Sequence, residues 1–319
     1  LCSIKEQTII DDIDVTIVND LSSDGDYSKF VDMFKPYMSI REIKTNKNGG
    51  PGVARQYGID NTHNPLICFI DADDTFSGSF ALKVLRENML KTPTCAICIG
   101  KFLEEQLNNH YVLHENDTVW MFGKLYKRDF LNSYGIRFNE TRANEDNGFN
   151  MMCKLFASPK NQIKFIQDTI YYWHFKKDSI TRINNFEYSF NQSFVGYTDN
   201  MIYALKYATK KDPKNKDVTE MKIKILCNLY GYFIETIGKD TRFIEQNWEC
   251  CKKYYNEVCA DIKDELKTPI LAKYYNEVMK NSQNMNKFKN FLPAMSLMEF
   301  INNLAVNRTI KVETEKNNA

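Results

Sequence analysis

A chain of 319 residues suggests two domains, and its 43% hydrophobic content is enough for a sizeable core. With 42 basic against 41 acidic residues the net charge is +1, which removes any bulk drive towards nucleic acid or an anionic membrane surface but leaves room for a local basic groove. No run of about 18 apolar residues occurs, so no membrane span is expected, and no signal-peptide pattern is visible. The nine cysteines follow no framework spacing. Cys95-x-x-Cys98 sits in an apolar run and reads as buried strand thiols rather than a metal or redox site. That usage suits a reducing, cytoplasmic compartment.

Residues 2–8 read as the end of a helix. Asp14 to Val18 is a strand, and Asn19-Asp20-Leu21-Ser22-Ser23-Asp24-Gly25 after it is a turn and helix-capping cluster. Tyr27 to Tyr37 is amphipathic and helical, and Ile40 to Lys44 is a short strand. Asn48-Gly49-Gly50-Pro51-Gly52 forms a tight turn before a helix over Val53 to Asn61. Glycines ahead of a helix let backbone N–H groups approach an anion. Arg55 would add a charge-assisted bond to phosphate. A plain strand-to-helix turn accounts for the same residues equally well.

The stretch that organises the chain follows. Leu66 to Ile70 is a short apolar run that reads as a fully buried strand, and it delivers Asp71, Asp73 and Asp74 to its carboxyl end. Ligands of open α/β sheets bind at that end. Clustered carboxylates repel unless neutralised, and a hard divalent cation shared with substrate phosphates does this. Taken alone, Asp-x-Asp is more often a polar loop with one Asp capping the next helix.

Ser79 to Lys91 reads as a helix and Thr94 to Lys101 as a strand. Trp120 to Tyr126 is apolar and aromatic. Glu145 and Asp146 open a helix running to Phe156, with Phe149, Met152, Cys153 and Phe156 on one face. Carboxylates suit a helix N-terminus for electrostatic reasons alone. Ile163 to Tyr172 is strand-like, and Trp173-His174-Phe175 leads to Asp178-Ser179-Ile180-Thr181-Arg182. From about residue 185 the texture changes to long amphipathic helices over 187–209, 217–238, 241–265, 269–281 and near 295–305. The alternating α/β order of the first part predicts a layered α/β domain over 1–184, with an all-helical region over 185–319. A hexapeptide, Lys-Tyr-Tyr-Asn-Glu-Val, recurs at 253 and 273, too few copies for a solenoid. The tail from Asn307 is polar and expected to fray.

Four of these segments, in this order, resemble family 2 of the glycosyltransferases, with a Rossmann-like GT-A fold. Val15 to Asp24 is similar to the family's strand ending in D-D-G-S-x-D, with Leu21 where a glycine is usual. Asn48 to Arg55 is similar to N-x-G-x-x-x-A-R, Phe69 to Asp74 to a strand ending in D-A-D-D, and Asn144-Glu145-Asp146 to an E-D motif at a helix start. Members open with an apolar strand and a P-x-Y-N-type segment. This chain starts past that point, so its sheet is expected to lack that strand.

The resemblance implies a metal-dependent, inverting transferase of the hexosyltransferase type. It would move a sugar from a UDP-sugar to an acceptor hydroxyl on a polysaccharide or glycoconjugate. Asp20 would contact the base, with Gly49, Gly50 and Arg55 near the nucleotide. Asp71 would face the ribose or sugar. Asp73 would ligate Mn²⁺ or Mg²⁺ on the diphosphate, with His174 as a second metal ligand, and Asp146 would be the general base. Trp120 and Tyr126 would stack on an acceptor sugar, or serve as core aromatics. A hydroxymethylated base in DNA is a further acceptor class, which the balanced charge does not favour. Two other readings stand beside this one. Asp71-Ala72-Asp73-Asp74-Thr75 also matches the D-x-D-x-T signature of haloacid-dehalogenase-type phosphatases, with Asp71 as nucleophile and Asp73 as acid/base. The chain would otherwise be a non-catalytic module that binds a nucleotide sugar or a partner.

Overall fold

The structure is a computed structural model. It describes residues 1–23, 27–177, 194–213, 217–239, 244–262, 269–284 and 295–309. The chain divides into two compact units, Leu1–Ile183 and Asn184–Ala319.

The first unit is α/β. A short helix α1 (Cys2–Lys5) precedes strand β1 (Asp14–Asn19), helix α2 (Ser28–Phe34), strand β2 (Ser39–Lys44) and helix α3 (Pro51–Asp60). Then come β3 (Leu66–Cys68), β4 (Thr75–Phe76), α4 (Ala81–Leu90), β5 (Ile97–Gln106) and β6 (His110–His114). The unit closes with β7 (Lys124–Lys127), α5 (Arg128–Tyr134), α6 (Glu145–Ala157) and β8 (Ile163–Trp173). β1 and β2 form a parallel pair, with Val15 opposite Ile40 and Asn19 opposite Lys44. The other strands form one mixed sheet in the order β3-β7-β5-β8-β4, with β6 on β5. β5 and β8 are parallel, and the remaining pairs are antiparallel.

The core lies between α4 and this sheet. Leu82, Leu85 and Met89 recur at helical spacing on α4 and are buried against β5 and β8. They pack with Cys98, Phe102, Ile170 and Tyr171. Each such side chain contributes about 1.5–3 kcal/mol on burial. Cys95 and Cys98 are buried thiols, as their apolar setting predicts, and all nine cysteines are free.

Several elements differ from the sequence expectation, and three of the differences bear on the site and the sheet. β3 is shorter than Leu66–Ile70 and only half-buried, because among the described residues it pairs with β7 alone. β5 continues past Lys101 to Gln106: a bulge at Gly100 and Lys101 absorbs the irregularity that seemed to end it. A Cβ on Gly100 would meet Ile170 Cγ1 at 2.2 Å, so only glycine fits the crossing. α3 begins at Pro51 rather than Val53, because proline suits the first helical position.

The second unit is helical where described: α7 (Tyr197–Lys211), α8 (Asp217–Lys239), α9 (Ile244–Tyr254), α10 (Pro269–Asn284) and α11 (Leu297–Ala305). α9 runs into a π-helical turn over Tyr255–Cys259, so the first hexapeptide copy straddles a helix end while the second lies inside α10. Tyr230, Phe233, Trp248 and Phe300 form an aromatic core. The helix expected from 187 and the one expected to 265 each extend partly outside the described residues; Asp178–Arg182 and the tail from 310 lie wholly outside them. Among the described residues no helix is long and apolar enough to cross a membrane.

Candidate functional site

The site is built where β1, β3 and β8 end and where α3 and α6 begin. At the end of β1, Asp20 takes a role of its own. Its carboxylate accepts from the Gly49 N–H at 3.1 Å, the Gly50 N–H at 2.6 Å and the Thr45 hydroxyl at 2.9 Å. The Asn48 side chain donates to the Asp20 carbonyl at 2.9 Å. The anion that the glycine turn holds is therefore the Asp20 carboxylate. Gly50 has φ +90°, a left-handed conformation that favours glycine, and Arg142 packs against it. Leu21 adopts φ +52° with a branched side chain where family members usually carry glycine, a strained choice. Asp24 lies outside the described residues.

Arg55 is the hub. Its guanidinium donates to Asp71 Oδ1 at 2.7 Å and to Glu145 Oε1 at 2.5 Å. The Arg55 side chain is 14% exposed and that of Glu145 5%. One cation therefore joins the end of β3 to the start of α6, through the second turn of α3. Gly52 makes this approach possible, since a Cβ there would lie 2.8 Å from the Asn139 carbonyl and 2.9 Å from Glu145 Cβ. Further along α3, Gln56 accepts from the Phe138 N–H at 2.9 Å, and Arg137 forms a two-point pair with Asp60. Burial works against the charge on Arg55, but Asp71 and Glu145 outweigh it and its pKa rises. Burial pushes Glu145 up, with Arg55 opposing.

Asp146 sits beside this triad in the first turn of α6. Burial, followed by the neighbouring Glu145 charge, pushes its pKa up to about 7, against the pull of Arg55. Its own carboxylate accepts from the Asn147 N–H at 2.7 Å. A carboxylate poised near neutral pH is suited to take up a proton during a reaction.

The three carboxylates after β3 have separated tasks. Asp71 pairs with Arg55. Asp74 is buried: it accepts from the Tyr171 hydroxyl at 2.7 Å and from the His174 N–H at 2.9 Å. The Asp71 N–H donates in turn to the Tyr171 hydroxyl at 3.1 Å. Burial pushes Asp74 up to about 6 despite these donors. Asp73 is exposed, with Lys176 at 3.6 Å. Asp73 is thus the carboxylate of this turn that faces solvent. The His174 ring contacts Thr75 Oγ1 at 2.7 Å through Nε2 and Glu105 at 3.3 Å through Nδ1. Both ring nitrogens are therefore engaged. Among the described residues no three His, Cys, Asp or Glu side chains are grouped to hold a metal. The donor chemistry at Asp73 still fits a hard cation, which commonly takes one or two carboxylates and completes its shell from phosphates and water.

A second buried charge supports the aromatic loop before β7. Lys124, 1% exposed, donates to Asp117 at 2.7 Å and to the Trp120 carbonyl at 2.6 Å. Asn150 of α6 donates to the carbonyls of Val119 and Trp120. Burial lowers the Lys124 pKa, with Asp117 opposing. Tyr126 is fully buried and its hydroxyl donates to Asn150 at 2.6 Å, so it cannot stack on an acceptor sugar. Trp120 is half-buried against Phe122 and Trp173.

The profile of glycosyl transferase family 2 matches residues 1–150. This stretch belongs to that family. Over 238 residues the chain is 24% identical to the teichoic acid poly(glycerol phosphate) polymerase of Staphylococcus epidermidis, spanning 70% of this chain and 33% of that protein. It is 27% identical over 203 residues to the uncharacterized glycosyltransferase EpsJ of Bacillus subtilis, covering 57% of this chain and 58% of EpsJ. It is 26% identical over 237 residues to the minor teichoic acid biosynthesis protein GgaB of Bacillus subtilis, covering 66% of this chain and 25% of GgaB. The chain therefore spans between a quarter and three-fifths of the length of these relatives. Residues 1–349 of S. aureus TarS, solved in complex with UDP-GlcNAc, superpose with a TM-score of 0.65 at 16% identity, over 89% of this chain and 86% of that one. That likeness shows the fold, a GT-A-type α/β domain followed by helices. The family match removes the phosphatase reading of Asp71 and Asp73, and Asp71 is in any case occupied by Arg55.

Proposed function

We propose that the chain is a metal-dependent, inverting glycosyltransferase that moves a sugar from a UDP-sugar to a hydroxyl of a glycoconjugate. The observation that carries this reading is the Arg55 bridge. It brings the Asp71 end of the donor-side strand and the Asp146-bearing helix together, with Asp146 held near neutral proton affinity. UDP-GlcNAc is the first donor to try, because TarS binds it on the same fold. The relatives' names favour an acceptor of the teichoic acid or polysaccharide class over nucleic acid. Free cysteines and the absence of a spanning helix among the described residues accord with action on the cytoplasmic side.

In this mechanism Asp73 would hold a Mn²⁺ or Mg²⁺ ion together with the donor diphosphate. His174 would join only by giving up Thr75 or Glu105. The ion supplies charge neutralisation at the leaving diphosphate. Asp71, fixed by Arg55, would orient the ribose or sugar hydroxyls. Asp20, holding the Gly49–Gly50 turn, would shape the wall beside the base. The acceptor oxygen forms its bond to the anomeric carbon as the bond to the phosphate oxygen breaks, and its proton passes to Asp146. A single displacement inverts the anomeric configuration, and UDP departs with the bonding electron pair.

The test is UDP release and sugar transfer from UDP-GlcNAc and related UDP-sugars, with Mn²⁺ and a teichoic acid preparation as acceptor. Transfer that disappears in Asp146→Asn while UDP binding persists supports the reading. UDP binding without transfer by the unsubstituted chain would instead favour a nucleotide-sugar-binding module.

A further inference from the structure

We propose that Arg55 and Glu145 are positioning residues for Asp146, with Arg55 acting as a brace between the donor-side strand and the base-bearing helix rather than as a ligand of the diphosphate. The inference deepens the reading of Asp146 as proton acceptor and rests on it.

The geometry leaves the guanidinium little to offer a phosphate. Its side chain is only 14% exposed, and both of its terminal nitrogens donate to carboxylates. Glu145 is more deeply buried than Asp71, and Arg55 is the cation that the structure sets against it. An unpaired buried carboxylate is strongly destabilising, so the pair is a structural commitment of this corner. Gly52 brings the two backbones close enough for the bridge to form, and Asn144 starts α6 from a left-handed conformation, φ +59°. Arg55 and Glu145 together fix where α6 begins, and with it the direction in which Asp146 projects.

The same pair sets opposing fields on Asp146. Glu145 precedes it on α6 and adds negative charge, as does Asp71 from the end of β3, whereas Arg55 of α3 adds positive charge. Lys124 of β7 is a further cation close enough to feel Asp146, and the buried Tyr126 hydroxyl on the same strand also senses its charge. Asp71, Arg55 and Glu145 sum to one negative charge, so ionising Asp146 raises the cluster to two. Removing Glu145's charge and removing Arg55's charge must therefore move Asp146 in opposite directions. A purely structural role for the pair predicts no such antisymmetry.

The experiment is a carboxyl-carbon NMR titration of the full chain labelled with ¹³Cγ-aspartate, with the Asp146 resonance assigned by its loss in Asp146→Asn. In the unsubstituted chain Asp146 should titrate close to neutral pH. Glu145→Gln should lower its midpoint by roughly one pH unit, and Arg55→Met should raise it by a similar amount. Should Arg55→Met fail to fold by circular dichroism, Glu145→Gln decides alone, because glutamine keeps the shape and can still accept from Arg55. Shifts in the same direction, an unmoved midpoint in Glu145→Gln, or an Asp146 midpoint below pH 5 in the unsubstituted chain would overturn the proposal. No turnover is needed, so a chain that lacks transferase activity yet shows the opposed shifts sinks the functional reading and leaves the brace standing.

Discussion

The two units bury different things. Among the described residues of the first, three charged side chains are buried: Asp74, Lys124 and Glu145. Each is matched by a specific partner within hydrogen-bonding reach. In the second, the buried polar residues among those described are Thr198, Asn200 and Asn247, and the interior is filled by Trp248, Phe233, Tyr230 and Phe300. Its described ion pairs, such as Lys206–Glu257, lie at the surface. Buried charge is expensive and is weak evidence for stability. Its concentration in one unit coincides with the proposed site, while the helical unit follows the ordinary rule of apolar burial.

Substitutions test this contrast between the units. The largest effect should come from Asp146→Asn, which removes the proton acceptor and is expected to cost roughly 10²–10⁴-fold in transfer while leaving UDP affinity unchanged. The same variant reports on stability. The folded pKa of Asp146 lies near 7, above the unfolded carboxylate value, so the native chain loses stability as pH rises through about 4 to 7. Thermal melts should show Asp146→Asn gaining at pH 8 by about 1 kcal/mol or more, roughly 2–4 °C, with the gain shrinking towards pH 4.

Next is Gly52→Ala. Its Cβ would collide with the Asn139 carbonyl and Glu145 Cβ, so the bridge must open. A loss of about 1–3 kcal/mol in urea unfolding is expected, with the acid limb of any pH–rate profile displaced. Tyr171→Phe removes the hydroxyl shared by Asp74 and the Asp71 N–H. It should cost about 1–3 kcal/mol and weaken UDP binding more with metal than without, since the Asp71–Asp74 turn loses its clamp to β8. The smallest effect belongs to the helical unit. Ser296→Ala deletes the capping box of α11 and should cost about 1 kcal/mol with no change in nucleotide binding. An effect of Ser296→Ala on UDP affinity would erase the division between the units.

The strand and helix order of both units is legible in the sequence because apolar periodicity survives in short windows. The α6 face of Phe149, Met152, Cys153 and Phe156 is an example, and all four are buried. β4 and β6 escape that logic. β4 is two residues long, and β6 alternates weakly because its residues are largely exposed. Asp20, Arg55, Asp71, Asp73 and Asp146 were recognisable as a set of motifs. Their partners were not, because pairing between residues 16, 90 or 97 positions apart leaves no local spacing to read. Glu145 looked like a helix-terminus carboxylate and proves to be the more buried arm of the Arg55 bridge. Asp74 reads as one of three carboxylates delivered to the strand end and is instead buried on Tyr171. The one available signal was composition: an arginine in a glycine-rich turn and an acidic pair at a helix start invite the question of what neutralises each.

The measurement closest to the central claim is calorimetric titration of UDP, with and without Mn²⁺, into the full chain and into Asp73→Asn. Asp73 is the solvent-facing carboxylate of the Asp71–Asp74 turn, so metal should tighten UDP binding at least tenfold in the unsubstituted chain and leave Asp73→Asn unaffected. Equal affinity with and without Mn²⁺ in the unsubstituted chain, or the same metal enhancement in both, would contradict a diphosphate–metal site at the end of this strand.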